Sequence, residues 1–125
     1  MSESPLDIFG TFLMTRVRDE AIKDWDMIFD GQMKDARGQR VHNEVKQLSS
    51  EARQFLRSVV SQVVDTTLHH LLWSLDEATE IKVAVHTREA YVPDIASRSD
   101  GLAGELYTED GWIERFSTQR RESAL

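Results

Sequence analysis

Ser50-Glu51-Ala52-Arg53-Gln54-Phe55-Leu56-Arg57-Ser58-Val59-Val60-Ser61-Gln62-Val63-Val64-Asp65-Thr66-Thr67-Leu68-His69-His70-Leu71-Leu72-Trp73-Ser74-Leu75-Asp76-Glu77 is the stretch that decides the fold. Ala52, Phe55, Leu56, Val59, Val60, Val63, Val64, Leu68, Leu71, Leu72 and Leu75 recur at helical spacing, interrupted only at Thr67. Ser49 is placed to cap this helix, and Glu51 adds a carboxylate to its first turn. Its four valines favour a strand by local propensity, but a 3.6-residue period held over about seven turns outweighs that preference. The stripe from 52 to 75 is therefore expected to be the spine of the core and its most buried run, with Val59, Val63, Leu68 and Leu72 enclosed.

Upstream, a second long helix is expected. Ser4 caps it, Pro5 suits the first helical position, and Asp7 meets the positive end of the dipole. Leu6, Phe9, Leu13, Val17, Ala21, Trp25 and Ile28 form its stripe, and Gly31 stops it. Phe12, Met14, Ile22 and Phe29 widen the apolar face beyond what one stripe needs. A homodimer using Phe12, Trp25 or Phe29 is the reading of that surplus. A polar connection with two glycines, 31–40, leads to a short helix around Val41, Val45 and Leu48.

Downstream of Glu80 the period changes to two. Ile81, Val83 and Val85 alternate with Lys82, Ala84 and His86, as in a strand with one buried face. Ala90-Tyr91-Val92 is extended again, which implies a hairpin although Thr87-Arg88-Glu89 lacks the usual Asn-Gly turn. Pro93 ends the pairing. Asp100 is placed to cap a short helix reaching Tyr107, Asp110-Gly111 marks a turn, and Trp112-Ile113-Glu114-Arg115-Phe116 is a final apolar-alternating piece. The fold class is α+β: two long packed helices and a short one, then a small antiparallel hairpin and an irregular C-terminal cap. One domain spans 1–125: a helical part (1–48), the core helix (49–79), the hairpin and glycine-punctuated cap (80–117) and a frayed tail (118–125).

Composition narrows the function. The 125 residues are 40% hydrophobic and 30% charged with a net charge of −7, ordinary for a globular protein but acidic. Without cysteine there are no disulfides, thiolate chemistry or cysteine-ligated zinc, which suits a reducing compartment. The N-terminus lacks a signal-peptide pattern and no window is apolar enough for a membrane span, so a cytoplasmic location and no membrane partner are expected. Between 94 and 114 six carboxylates face Arg98 alone, a net of −5. Such a surface repels phosphate backbones and attracts basic partners, which disfavours nucleic acid.

Reaction signatures are few. His69 and His70 are adjacent on the core helix, so they diverge by about 100° and cannot chelate one metal. No spacing favours a metal, and no nucleotide-binding, nucleophile-elbow or zinc-protease motif is present, so neither metal nor cofactor is expected. Asp65, His69, Trp73 and Asp76 run down one edge of the helix, and Asp65 with His69 is the best catalytic seed, a carboxylate orienting an imidazole for a hydrolytic reaction. The plainer reading is a half-buried histidine beside a carboxylate and an aromatic. In the cap, Tyr107 and Trp112 are candidate anchors of an interface, with Asp100, Glu105, Glu109, Asp110 and Glu114 steering a basic partner. The structural alternative has Leu102, Leu106, Trp112, Ile113 and Phe116 closing the core, with the acids on the solvated side.

Thr67-Leu68-His69, then Ser99-Asp100-Gly101-Leu102-Ala103-Gly104-Glu105-Leu106-Tyr107 and Glu109-Asp110-Gly111-Trp112-Ile113-Glu114-Arg115-Phe116-Ser117, resembles a segment of a group of small uncharacterised bacterial proteins. That resemblance covers the last sixty or so residues and implies the helices-then-hairpin layout, with no activity attached. In size and acidity alone the chain is also similar to immunity proteins that neutralise bacterial toxins. The expected function is a non-enzymatic interaction module, an immunity-type inhibitor or regulator of a basic protein partner. The alternative is a small hydrolase-like enzyme using Asp65 and His69.

Overall fold

The computed structural model describes residues 4–120, and its order of elements is that of an α+β fold dominated by helix. The first helix starts where its chemistry says it should. Ser4 Oγ accepts a hydrogen bond from the Asp7 N–H at 3.1 Å, and Pro5 occupies the first turn of α1 (Pro5–Phe12). The helix does not run uniformly to its end. Leu13–Arg18 is a π-helical insertion, in which the Asp19 N–H reaches five residues back to the Met14 carbonyl, and α2 (Asp19–Phe29) continues the rod. Gly31, at φ +78°, takes the left-handed conformation that ends it. The short α3 (Ala36–Val45) is capped by Asp35, whose carboxylate accepts from the Gly38 N–H.

The core helix is present in full as α4 (Ser50–Glu77), with Ser49 Oγ accepting from the Ala52 N–H. Its burial departs from the expected stripe. Ser61, Asp65, Leu68 and Leu72 are the buried residues, whereas Val59 is half-buried and Val63 is 57% exposed. The reason is what lies over the helix. The C-terminal half is roofed by the cap, while α2 and the short α3 border an apolar groove along the N-terminal half.

The hairpin is shorter than the alternation suggested. β1 (Val85–His86) pairs antiparallel with β2 (Tyr91–Val92), in register Val85 with Val92 and His86 with Tyr91. Ile81 stays exposed because no partner strand reaches it. Thr87 replaces the missing Asn-Gly: its hydroxyl accepts from the Glu89 and Ala90 N–H groups at 3.2 and 2.8 Å, closing the turn with a side chain. The cap follows as two 3₁₀ turns, Ile95–Arg98 and Leu102–Leu106, and a short helix α5 (Trp112–Phe116).

One core joins α1, the π segment, the C-terminal half of α4, the hairpin and the cap. It holds Phe9, Leu13, Met14, Leu68, Leu72, Val85, Val92, Ile95, Leu102, Leu106, Trp112 and Ile113. Trp112 is fully buried and meets Phe9 edge-on at 5.8 Å. Its indole lies so close on Gly10 that a β-carbon there would come within 2.5 Å of the ring, so only glycine lets α1 and α5 approach. Of the residues expected to dimerise, Phe12 is exposed and Trp25 half-buried. Phe29 is largely buried, with the Arg57 guanidinium 5.4 Å over its ring, which leaves it little surface for a partner.

Candidate functional site

The acidic cap is built on α4. Leu102, Ala103 and Leu106 point into the core, so the 3₁₀ turn that carries them lies flat on the helix. Asp100 does not cap it. The Leu102 N–H donates instead to Asp76 Oδ2 at 2.8 Å, and the Gly101 N–H to Ser99 Oγ at 3.1 Å, so α4 supplies the cap from its own edge. Glu105 accepts from the Ser99 hydroxyl at 2.6 Å and is half-buried. The chain then turns at Thr108, a β-branched residue at φ +77°, and at Gly111, where a β-carbon would fall 2.0 Å from the Tyr107 carbonyl oxygen. Arg115 holds the far side, donating to the Asp110 carbonyl at 2.8 Å and to Asp7 in the first turn of α1 at 3.0 Å.

This construction separates the cap into two faces. Leu102, Leu106, Trp112 and Ile113 are buried; Asp100, Glu109, Asp110 and Glu114 are exposed. Trp112 thus belongs to the core and not to the displayed surface, because α5 turns it toward Phe9 and Gly10. Of the two readings given for Trp112, interface anchor and core closure, its burial fits the second. The exposed tryptophan is Trp73, at 53%. It lies on α4 one turn beyond His69, which meets the cap at Tyr107, and three residues before Asp76, which meets it at Leu102. An indole is thereby presented along the seam where helix and acidic cap join. Its signal in the sequence was its place on that edge, passed over because Trp112 sat among the acids.

The Asp65 and His69 side chains are one turn apart but do not bond to each other. Asp65 is committed to Arg18, with Nε to Oδ1 at 2.6 Å and Nη2 to Oδ2 at 3.3 Å. His69 Nδ1 lies 3.3 Å from the Tyr107 hydroxyl, and the exposed His70 ring stands edge-on to it. Burial raises the Tyr107 pKa above its ordinary value, and the nearby Asp65 charge adds to the rise. A carboxylate held by a guanidinium in a buried clamp is not free to orient an imidazole, so Asp65 does not position His69.

The clamp itself was not legible from spacing. The π insertion turns Arg18 inward, where it is fully buried. Its Nη1 donates to Ser117 Oγ at 2.6 Å and to the Gln119 carbonyl, and its Nη2 to the Arg120 carbonyl at 3.1 Å. Neighbouring Asp19 accepts from the Ser117 hydroxyl at 2.5 Å and from the Thr118 N–H at 3.0 Å. Residues 118–120, expected to fray, are therefore tied to the π segment and α2, because Arg18 satisfies the Gln119 and Arg120 carbonyls and Asp19 accepts from Thr118; 121–125 lie outside the described residues. The sequence carried a hint in the adjacent Arg18-Asp19 on a helix already crowded with apolar positions, but nothing in it named Asp65 as partner.

Among the described residues, no group of three or more His, Asp or Glu side chains converges as a metal site would, and no helix is long and apolar enough to cross a membrane. Compared with models of protein families, with curated proteins and with solved structures, the chain matches none.

Proposed function

We propose that this chain is a non-enzymatic protein-binding module of a bacterial cytosol, an immunity-type inhibitor or regulator that receives a basic protein partner on the acidic face of its cap. The observation that carries this reading is the division of the cap. Its apolar side chains are locked inward by Gly10, Gly111, Asp76 and Arg115, so its carboxylates stand on a backbone that has little freedom left to lose on binding. Asp100, Glu109, Asp110 and Glu114 supply the steering charge, while Glu105 and Tyr107 line the inner margin. Trp73 supplies the large, rigid aromatic that interface centres favour. Enzymes that act on nucleic acid carry basic surfaces, and an acidic face of this kind associates with them fast.

The test is capture from a lysate at rising salt, with wild type, with an Asp100/Glu109/Asp110/Glu114 charge reversal and with Trp73→Ala. The altered side chains are exposed, so fold is retained and is checked by circular dichroism. Wild type should retain a basic protein that salt releases. The charge reversal should lose it, and Trp73→Ala should weaken it without changing the salt dependence. Retention of the same proteins at the same salt by all three chains would remove this face from consideration.

A further inference from the structure

The cap does not account for the other half of α4. There a groove of about 350 Å³ runs between α2, α3 and α4, lined only by apolar side chains, among them Trp25, Val41, Val45, Leu56, Val60 and Val64. A second pocket, of about 410 Å³, opens at the start of α4 and contains His42, Lys46, Arg53 and Arg57. Phe29 lines both, and Lys46 and Arg57 of the basic pocket directly follow Val45 and Leu56 of the groove, so the two adjoin. The volumes are those of small-molecule sites.

We infer that this composite site binds a single-chain amphiphile with an anionic head, a long-chain carboxylate being the simplest, its tail in the groove and its head in the basic pocket. Charge decides between this occupant and others. The chain carries a net −7, yet residues 34–57 hold six Lys and Arg against three carboxylates, Asp35, Glu44 and Glu51. Arg57 is already neutralised by Asp26 and Asp30, at 2.8 and 2.6 Å, and Asp30 is the pocket's one carboxylate. Lys46 and Arg53 have no ion pair among the described residues, and both are exposed. Lys34, Arg37 and Arg40 lie outside the pocket, so Lys46 and Arg53 are the excess positive charge beside the groove. The His42 Nδ1–H donates to the Phe29 carbonyl at 2.8 Å, which fixes that ring in the lining of the basic pocket.

Length agrees with the chemistry. Leu56 to Val64 spans roughly 12 Å of helix at 1.5 Å per residue, the reach of about ten extended methylene groups. An all-apolar lining offers water nothing to bond, which favours an alkyl tail over a polar ligand. A cationic amphiphile of equal length would gain the same tail contacts and meet repulsion at Lys46 and Arg53.

Dodecanoate and dodecyltrimethylammonium, each below its micellar concentration, form the two arms of the experiment. Binding is followed by calorimetry and by the fluorescence of Trp25, with Trp25→Phe identifying the reporting indole. Dodecanoate should bind wild type one to one and at least tenfold more tightly than the cationic amphiphile. Lys46→Glu/Arg53→Glu should weaken dodecanoate tenfold or more, and Val60→Asp should abolish its binding. Equal affinity for the two amphiphiles, no dodecanoate binding, indifference to the Lys46/Arg53 reversal, or an undiminished fluorescence change in Trp25→Phe would each overturn the assignment. So would a wild-type dimer that Val60→Asp dissociates, which would give the groove to a second copy of the chain.

Discussion

The two halves of α4 carry the same apolar periodicity and meet different fates. From Asp65 onward the helix lies under a roof drawn from residues 95–113, and Leu68 and Leu72 are sealed. Before Asp65 it faces α2 and the ten-residue α3, and Phe55 and Val63 stand open at 68% and 57%. The stripe itself is continuous across both. Periodicity specifies which side of a helix is apolar; whether that side is buried depends on how much chain remains to cover it. Here the glycine-punctuated cap is spent on one half, and the other is left as a groove. The boundary between them is the Arg18–Asp65 clamp, which ties the π segment, the middle of α4 and residues 117–120 together.

Breaking that boundary should have the largest effect. Arg18→Ala leaves Asp65 buried without its counter-charge and releases Ser117, Gln119 and the Arg120 carbonyl at once. A loss of about 3–5 kcal/mol is expected, measured by urea unfolding. Arg18→Met/Asp65→Leu, which removes both charges and keeps the volume, should recover more than half of it. A single Arg18→Ala change costing under about 1 kcal/mol would mean that the clamp is ornamental and the two halves are joined by packing alone.

The contrast between the halves can be measured on α4 itself. Leu72→Ala, under the roof, should cost about 2–5 kcal/mol through lost transfer energy and a residual cavity. Val63→Ala, nine residues earlier on the same apparent stripe, should stay within about 0.5 kcal/mol. Equal costs at the two positions would show that the groove half is covered in solution. A rise in the Val63→Ala cost on adding dodecanoate would locate the cover.

Much of this fold was legible where local chemistry acts alone. Ser4 and Ser49 cap the helices they precede, and Gly31 ends α2, because these effects need only neighbours in sequence. The hairpin was legible in place but not in its turn, since the Thr87 hydroxyl does the work usually read from Asn-Gly. What stayed hidden depends on contacts far along the chain. Arg18 meets Asp65 across 47 positions and Ser117 across 99, through an insertion of π-helix that no apolar spacing announces. The candidate site was half-legible for the same reason. The exposed acids stand where their local density suggested, but the choice between Trp73 and Trp112 was made by α5 turning onto Gly10, a tertiary event.

The smallest effect probes the covered half from its rim. Tyr107 spans the seam between α4 and the cap, and both burial and the negative Asp65 resist formation of its phenolate. Its folded pKa therefore lies above the ordinary value of about 10 that it takes when unfolded. An acid with a raised folded pKa binds its proton more tightly in the native state. The stability this contributes is complete below about pH 10 and is lost as pH rises through the folded pKa. Wild type should accordingly lose stability in that alkaline window, and Tyr107→Phe, which has no proton to release, should lose less. Near neutral pH the two should differ little, because the contact removed is a 3.3 Å one at a half-buried hydroxyl. Urea midpoints taken across about pH 8 to 11 measure the difference in slope. Identical slopes would mean that neither burial nor the Asp65 charge holds the Tyr107 proton in the folded state, so that the rim of the seam is open to solvent.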